Sequence, residues 1–247
     1  MKKNTICKTI SFSLLSAFIL SGCTSSSSAI RPRTIAPSAI VAITANDEIT
    51  WEGEETESKG LLQLGAKALI QKSDKENVKT ALGYTSSLMT DAEKAVTDVL
   101  ESSGFYLVPK SIITQSSAYQ DAKENKLLKG AMMQTPEGYR LLSSENGLNL
   151  HLSEETGASS FIYVSMNLCK LMTDGIEKNG KLTATVSVSI EIRNVKDKVI
   201  LRSTGYPKGK EKIPVVMEVY DAEKLQAMYP VLFEEAVRNA VSKLKLQ

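Results

Sequence analysis

Few residues in this sequence are of the types that carry out acid–base or metal chemistry. Its 247 residues include one histidine, His151, in the run from Leu148 to Ser153. A single histidine excludes a metal centre built from several histidines and leaves one candidate for a histidine-dependent catalytic triad. The neighbouring Ser153 does not by itself make a triad. We therefore expect His151 to lie on a polar helix face and not in a catalytic site.

Paired carboxylates are a second candidate for chemistry, because hydrolysis of sugars uses two acids at a defined separation. The pairs in this chain are Glu154-Glu155 and Glu234-Glu235. Adjacent glutamates on a helix point in different directions, so we expect solvated helix faces. The sequence also lacks a phosphate-binding glycine loop, zinc-type cysteine spacing and a nucleophile elbow. It predicts no catalytic, cofactor-binding or metal-binding residue, and we interpret the protein as not an enzyme.

The clearest chemistry belongs to Cys23, which ends a segment with the three zones of a secretory signal. Three lysines precede an apolar stretch from Ile10 to Leu20, which is too short to span a bilayer as a permanent helix. Small residues then lead to the cysteine, and the run Leu20-Ser21-Gly22-Cys23 resembles the lipobox of bacterial lipoproteins. That resemblance implies cleavage between Gly22 and Cys23, a diacylglycerol thioether on Cys23, and acylation of the new amino terminus, for example with palmitate.

The implied address is a membrane of the bacterial cell envelope. Several acyl chains anchor a protein firmly, whereas a single chain binds only marginally. Thr24 stands where an aspartate holds enterobacterial lipoproteins at the inner membrane. By that family rule, the resemblance favours the periplasmic face of the cell outer membrane.

Charge and cysteine content limit the partners of the mature chain. The leader carries three lysines and no acid, so 27 basic residues face 28 acidic ones after its removal. A chain with this near-neutral balance lacks the excess of positive charge that binds nucleic acid. Cys7 leaves with the leader and Cys23 takes the lipid, so Cys169 is the one remaining thiol. We interpret Cys169 as a buried, inert thiol in an apolar strand, with pairing between chains as the alternative.

Three segments make up the predicted domain organisation. Residues 1–22 form the signal peptide, and residues 23–37 form a flexible tether rich in serine and proline. As a coil of about fourteen residues, the tether reaches on the order of 20 Å from the lipid. Residues 38–247 form a single periplasmic domain, because about 225 mature residues of ordinary apolar content support a core of that size.

Hydrophobic periodicity predicts the elements of that domain. Period-two alternation and β-branched runs indicate strands, whereas apolar residues at three- and four-residue steps indicate helices. Asn179-Gly180 and Lys196-Asp197 are typical of hairpin turns, and Pro230 is expected to kink or restart the last helix. The predicted strands are 39–44, 105–108, 160–170, 182–192 and 199–201; the predicted helices are 58–72, 86–103, 148–156 and 221–246; residues 111–147 are expected to be mostly helix with loops.

This order of elements predicts an α/β fold. A mixed sheet, with a three-stranded antiparallel meander over residues 160–205 that leaves one face wet, is covered by helices that include a long C-terminal helix. The pattern resembles periplasmic α/β modules of the TolB amino-terminal, CsgG and LpoB type. The residues that carry the resemblance are those of the helix 91–100 with the run 104–109, then 155–164 and 193–200. The Pro109-Lys110 pair, where such modules have an arginine, and the long segments 46–84 and 111–147 depart from it.

The predicted lipid anchor, together with the lack of a recognisable catalytic motif in the sequence, favours a non-enzymatic accessory or assembly factor that binds another envelope component. Two alternatives stay open: a homo-oligomeric ring or pore of the kind that the CsgG resemblance implies, and a small-ligand-binding or enzymatic module. Trp51 and Met132-Met133 fall outside the periodic elements and either fill a core edge or form contact surfaces. The basic loop 208–212 is interpreted as solubilising, with an anionic partner as the alternative.

Overall fold

The computed structural model describes residues 36–52, 84–144, 147–177 and 179–244. Its centre is a mixed sheet in the order β3-β1-β4-β5-β7-β8, in which β2 also pairs with β4 and β6 with β5. The bounds of the strands are β1 Ser38–Asn46, β2 Thr50–Trp51, β3 Met133–Gln134, β4 Ser160–Ile176, β5 Asn179–Asn194, β6 Val199–Gly205, β7 Ile213–Val216 and β8 Val219–Tyr220.

Short and long helices connect these strands. Their bounds are α1 Tyr84–Ser102, α2 Lys110–Thr114, α3 Ser117–Asp121, α4 Lys126–Gly130, α5 Leu148–Thr156, α6 Ala222–Ala227 and α7 Tyr229–Lys243. The helix α1 ends before Gly104, whose φ of 91° only glycine adopts without strain. None of the helices in the described ranges is both long enough and apolar enough to span a membrane.

One face of the sheet, except for the last rungs of β4 and β5, is covered by α1, α6 and α7. Alternate residues of β4 and β5 point into this layer, and Val164, Met166, Val186 and Val188 are fully or almost fully buried there. The predicted apolar stripe of the last helix is buried against them: Leu232, Phe233, Ala236, Val237, Ala240, Val241 and Leu244. Burial of the Val, Leu, Phe and Met side chains contributes about 1.5–3 kcal/mol each, so this layer holds the fold together.

The opposite face of the sheet is covered at one end only. There α2, α3 and α5 pack on the first residues of β1 and β4, with Phe161 and Tyr119 at the centre of a second core cluster. Further along β4 the side chains on this face are polar, and Ser165 and Asn167 are exposed. The face that helices leave uncovered is therefore wet, as the alternation in residues 160–205 predicts.

The α/β fold class, with its mixed sheet, antiparallel meander and long C-terminal helical segment, is confirmed. The chain breaks that last segment at Met228 and restarts with Pro230 in the first turn of α7, where a missing N–H is harmless. Residues 111–144 form short helices over less than half of their length, with loops and β3 between them, so the expectation of mostly helix was wrong. The helix α5 ends at Gly157, as expected. The predicted helix 58–72 lies outside the described residues.

Two further predictions of local structure were wrong, and short strands were missed. Residues 105–108 make no strand, because Leu107 meets the sheet at a single bridge to Ser38. Asn179 and Gly180 are the first residues of β5 and not the turn, since β4 continues to Ile176. The strands β7 and β8 were missed, because Pro214 and the turn at Met217 interrupt the alternation that would have marked them.

Candidate functional site

The strands β4 and β5 are the longest strands among the described residues, and they form a hairpin. Its rungs run from Ser160 opposite Asn194 to Ile176 opposite Asn179. The neighbouring strands accompany only part of it: β1 pairs with β4 as far as Met166, and β6 pairs with β5 no further than Val188. Beyond those points the hairpin is bordered by β2 on one side and by β7 and β8 on the other. The residues of β4 beyond Met172 and of β5 before Leu182 are mostly exposed, so the hairpin extends past the layer that buries the rest of it.

The far end of this hairpin carries an exposed apolar surface. Register places Ile176 opposite Asn179, Asn179 opposite Val216, and Val216 opposite Val219, so these four residues form one row across four strands. Directly opposed residues point to the same side of a sheet. The exposed fractions are 66% for Ile176, 62% for Val216 and 71% for Val219, and 80% for Met217 in the adjacent turn. We call Ile176, Val216, Met217 and Val219 the hairpin-end patch.

The turn inside the patch has an unusual choice of residues. Met217 and Glu218 connect β7 to β8 and have φ values of 52° and 68°. A two-residue hairpin turn with two positive φ values favours Asn-Gly or Asp-Gly, because other side chains are strained there. The Met217 N–H donates to the side-chain oxygen of Asn179 at 3.2 Å, which ties the turn to the end of the long hairpin.

Two glycines let the strands approach one another below the patch. Gly175 and Gly180 are direct partners in the β4–β5 ladder. A Cβ atom on Gly180 would lie 2.2 Å from the carbonyl oxygen of Asp174, and one on Gly175 would lie 2.4 Å from that of Asn179. Both distances are impossible for real atoms, so the hairpin end has this geometry only because both positions lack a side chain.

A lysine held between two aromatic rings fixes the strands at the base of the patch. The Lys170 Nζ atom lies 4.5 Å from the centre of the Trp51 ring and 5.0 Å from that of Tyr220. It also donates to the Tyr220 hydroxyl at 3.1 Å. Because Trp51 belongs to β2 and Tyr220 to β8, this contact joins strands from both sides of the hairpin. Trp51 thus fills a core edge, which was one of its two expected roles.

A polar cleft of about 320 Å³ lies on the open face of the sheet, nearer the covered end. Its floor includes Ser165, Ser189 and Glu191, and its wall includes Arg193 and Arg202. Glu191 accepts hydrogen bonds from both arginines, one of them from Arg202 Nε at 2.7 Å. Burial alone would raise the pKa of Glu191, but the bonds from Arg202 and Arg193 outweigh it and lower that pKa.

Each charged side chain of the cleft therefore has a hydrogen-bond partner within the protein. The Arg193 guanidinium also donates to the carbonyl oxygen of Asp197, and the Tyr163 hydroxyl donates to Asn149 at 2.6 Å. No nucleophile in the cleft is hydrogen-bonded to a base in the described residues. The hydrogen bonds that are present form a polar network that orders the open face.

The predicted site residues are dispersed. Cys23 and Gly22 lie outside the described residues, so their lipidation and cleavage stay predictions. His151 is on an exposed face of α5, with its Nδ1 atom 3.5 Å from Glu154. Glu155 instead accepts hydrogen bonds from the Ser117 hydroxyl and the Ala118 N–H; the first of these is the larger cause that lowers its pKa.

The second glutamate pair, Glu234-Glu235, also lies on the protein surface. Glu234 forms an ion pair with Arg238, one turn along α7, at 2.7 Å. The described ranges contain no cluster of three or more acidic, histidine or cysteine side chains suited to a metal ion. In the basic loop, Lys208 lies 3.6 Å from the carboxylate of Glu52. These charges are consistent with surface ion pairs of small energy.

Cys169 is half-buried, so the interpretation of a buried thiol is met only in part. It lies on β4, and its sulfur is 3.5 Å from the Thr50 hydroxyl. Burial is the main cause that raises the pKa of this thiol, which keeps it protonated and unreactive at neutral pH. Met133 is half-buried in β3, whereas Met132 is exposed in the left-handed conformation that follows α4.

Sequence reasoning missed the hairpin-end patch. The run Val215-Val216-Met217-Glu218-Val219 was a usable signal, because β-branched residues beside a turn are typical of a short hairpin. Its exposure could not be deduced from that run, since it depends on which elements cover the strand.

Comparisons with known proteins give little for this chain. No protein-family model matches it, and no curated protein matches it. Among solved structures it is similar to the LpoB C-terminal domain from Salmonella enterica, with a TM-score of 0.28 and 11% sequence identity. The alignment covers 70% of this chain and 82% of that domain. A likeness at this TM-score does not establish a shared fold, so the site must be interpreted from its own geometry.

Proposed function

We propose that this chain is a lipid-anchored protein of the bacterial cell envelope that catalyses no reaction and binds another envelope protein, as an accessory or assembly factor. The observation that carries the proposal is the hairpin-end patch, in which four apolar side chains are more than three-fifths exposed. Exposed apolar clusters on the order of a few hundred Å² mark interaction sites on soluble domains.

The predicted anchor supports the same function. A lipid on Cys23 would confine the domain to a membrane surface, which raises its effective concentration toward any partner in the same compartment. A weak, small interaction surface is then sufficient. The dispersed positions of His151 and of the glutamate pairs support the non-enzymatic part of the proposal, because none of these groups converges on a common substrate position among the described residues.

The alternative of a membrane pore is less well supported. It would require strands that move into the bilayer, and the best-alternating run of the chain is Leu182–Ile192. Those residues lie inside the sheet, where Val186, Val188 and Ile190 are fully buried against α7 and its neighbours. Extracting them would expose the main core.

Photo-crosslinking in living cells tests the proposed function. A photoreactive amino acid at position 217 samples the hairpin-end patch. The same amino acid at position 106, where Tyr106 is 64% exposed, samples another exposed site beside Ser38. We expect one reproducible protein adduct from position 217, reduced in a Cys23→Ala variant and absent from position 106. Equal adducts from both positions would indicate non-specific contact and would overturn the proposal.

A further inference from the structure

One edge of the sheet differs in charge from the rest of the chain. It consists of residues 193–212, which comprise the end of β5, its turn into β6, β6 itself and the loop that leads to β7. We call this segment the basic edge. We propose that the basic edge docks on anionic lipid headgroups of the membrane that holds the anchor, and that this contact fixes the orientation of the domain. The inference rests on the lipid anchor of the proposed function.

The basic edge holds an excess of positive charge that the mature chain as a whole lacks. It contains seven basic residues and two acidic ones, Asp197 and Glu211. The rest of the mature chain has 20 basic residues against 26 acidic ones. Charge runs in loops commonly serve solubility alone. A surplus concentrated on one edge of a chain that is otherwise acidic is instead typical of a surface that attracts anions.

The strand register places these charges in a line. The strand β4 occupies one side of β5 along its whole length, so β6 and β7 both pair with the other side. The loop between them follows the same side, because Lys208 bridges to Thr185 and the Gly209 N–H donates to the Ala184 carbonyl at 2.8 Å. The basic edge thus borders β5 from Asn194 to Leu182, which is roughly 40 Å at about 3.4 Å per residue.

Four lysines of the basic edge are available to an external anion. They are exposed and form no ion pair within the described part of the chain: Lys196, Lys198, Lys210 and Lys212. Arg202 and Lys208 lie between these two pairs of lysines along the chain, and each has an acidic partner, Glu191 and Glu52 respectively. The unpaired positive charge therefore lies in the turn before β6 and in the loop after it.

The side chains between those lysines favour a lipid surface over an acidic protein. The exposed apolar residues of the basic edge are Val199 and Ile200 at the start of β6 and Tyr206 just after its end, so they form no contiguous apolar centre. Stable protein interfaces have such a centre. Attraction to anionic headgroups requires only cations spread over a surface. A second copy of the chain would place two basic edges together, where like charges repel.

The predicted anchor enters the domain near one end of the basic edge. Asn194 is opposite Ser160, and Ser160 is opposite Ser38 in β1. Two strand spacings of about 4.8 Å therefore separate Ser38 from the end of β5 that leads to the first two lysines. The predicted tether of residues 24–37 reaches on the order of 20 Å as a coil, which lets the basic edge lie on the membrane surface. Since several acyl chains already give firm attachment, the contact sets orientation.

The test uses the lipidated chain on vesicles of phosphatidylethanolamine and phosphatidylglycerol that carry a headgroup-attached quencher. In a Cys169→Ser background, a fluorophore on Val199→Cys samples the basic edge, and one on Met132→Cys samples the opposite edge of the sheet beside β3. We expect strong quenching at position 199 and much weaker quenching at position 132. Phosphatidylcholine in place of phosphatidylglycerol, or high salt, should remove the difference, because each weakens the attraction between charges.

Charge removal provides the matched comparison. Glutamine at the four unpaired lysines should lower the ratio of docked to undocked protein by about a hundredfold or more. The control variant loses the same charge at four exposed lysines away from the basic edge and should keep the quenching at position 199. Its changes to glutamine are at Lys94, Lys123, Lys126 and Lys129. Thermal unfolding of both variants verifies that each is folded.

Two results would overturn the inference directly. One is equal quenching at positions 199 and 132 on the anionic vesicles, and the other is an equal loss of quenching in both lysine variants. An acidic protein partner would give a third pattern, namely no quenching on vesicles together with a protein adduct, formed in cells by a photoreactive amino acid at position 199, that the lysine changes remove. That pattern would assign the basic edge to a protein and refute the lipid contact.

Failure of the proposed function has a different signature. Absence of an adduct from position 217 would count against the accessory function and leave the orientation of the basic edge standing. Mass spectrometry of the mature chain measures the lipid on Cys23. A mature chain without that lipid would overturn this inference together with the anchor on which it rests.

Discussion

The two ends of the β4–β5 hairpin have the same alternation of side chains, but the apolar residues are buried at one end and exposed at the other. At the first rungs Phe161 and Ile162 point to opposite faces, and helices on both sides bury them completely. At the last rung Ile176 lies in a row with Val216 and Val219, and all three are mostly exposed. Apolar pattern thus sets which residues share a face, while the covering layer decides whether that face becomes core or contact surface.

The largest effect is expected from truncation at the covered end. Phe161→Ala removes a fully buried aromatic side chain from the second core cluster and should lower the free energy of unfolding by about 3–5 kcal/mol. The truncation Ile176→Ala at the uncovered end should stay within about 0.5 kcal/mol of wild type. Urea unfolding followed by circular dichroism measures both. Similar losses at the two ends would mean that Ile176 is covered in solution.

The next effect concerns the backbone contact beneath the patch. Gly180→Ala forces a Cβ atom against the carbonyl of Asp174 and should lower the free energy of unfolding by about 1–3 kcal/mol. Gly130→Ala is its control, because a Cβ at that position meets no atom within 4 Å. Thermal unfolding of the two variants provides the comparison. If Gly180→Ala were neutral, the last rungs of the hairpin would be less closely paired than described.

Sequence reasoning was successful where structure is local. The spacing of Leu88, Val96 and Leu100 predicts α1, and the alternation from Leu182 to Ile192 predicts the centre of β5, since each pattern is contained in one element. It failed where pairing is distant: the fate of Phe105–Val108 depended on Ser38. The patch likewise depends on contacts between Asn179 and Val216. The anchor at Cys23 is a motif-level prediction that the described residues do not reach.

A gain in stability is expected from the turn of the patch. Glu218→Gly replaces a side chain at a φ of 68° with the residue that adopts this conformation freely, and should raise the free energy of unfolding by about 1 kcal/mol. Glu218→Ala keeps a Cβ at the same φ and should give no such gain. Chemical denaturation at matched protein concentration measures the difference. Equal stabilities of the two variants would show that the turn stores no strain.

The smallest effect is expected from the ion cluster on the open face, where Glu191 binds Arg193 and Arg202. Despite opposing burial, those bonds lower the pKa of Glu191 in the folded chain. A carboxyl with a depressed folded pKa stabilises the fold above its unfolded pKa, and this contribution is lost as pH falls through the folded value. Since Arg202 is largely exposed, Glu191→Gln should cost about 1 kcal/mol or less at pH 7.

Unfolding of wild type and Glu191→Gln, measured between pH 7 and pH 3, tests the sign of that linkage. All other carboxyl groups titrate in both proteins, so the difference between them isolates Glu191. That difference should shrink as the pH falls below the ordinary glutamate range, because wild type then also has a neutral side chain at position 191. A difference that stayed constant over the whole range would mean that packing of the side chain, and not its charge, orders the uncovered face. The difference in burial between the two ends of the hairpin would then depend on side-chain packing and not on charge.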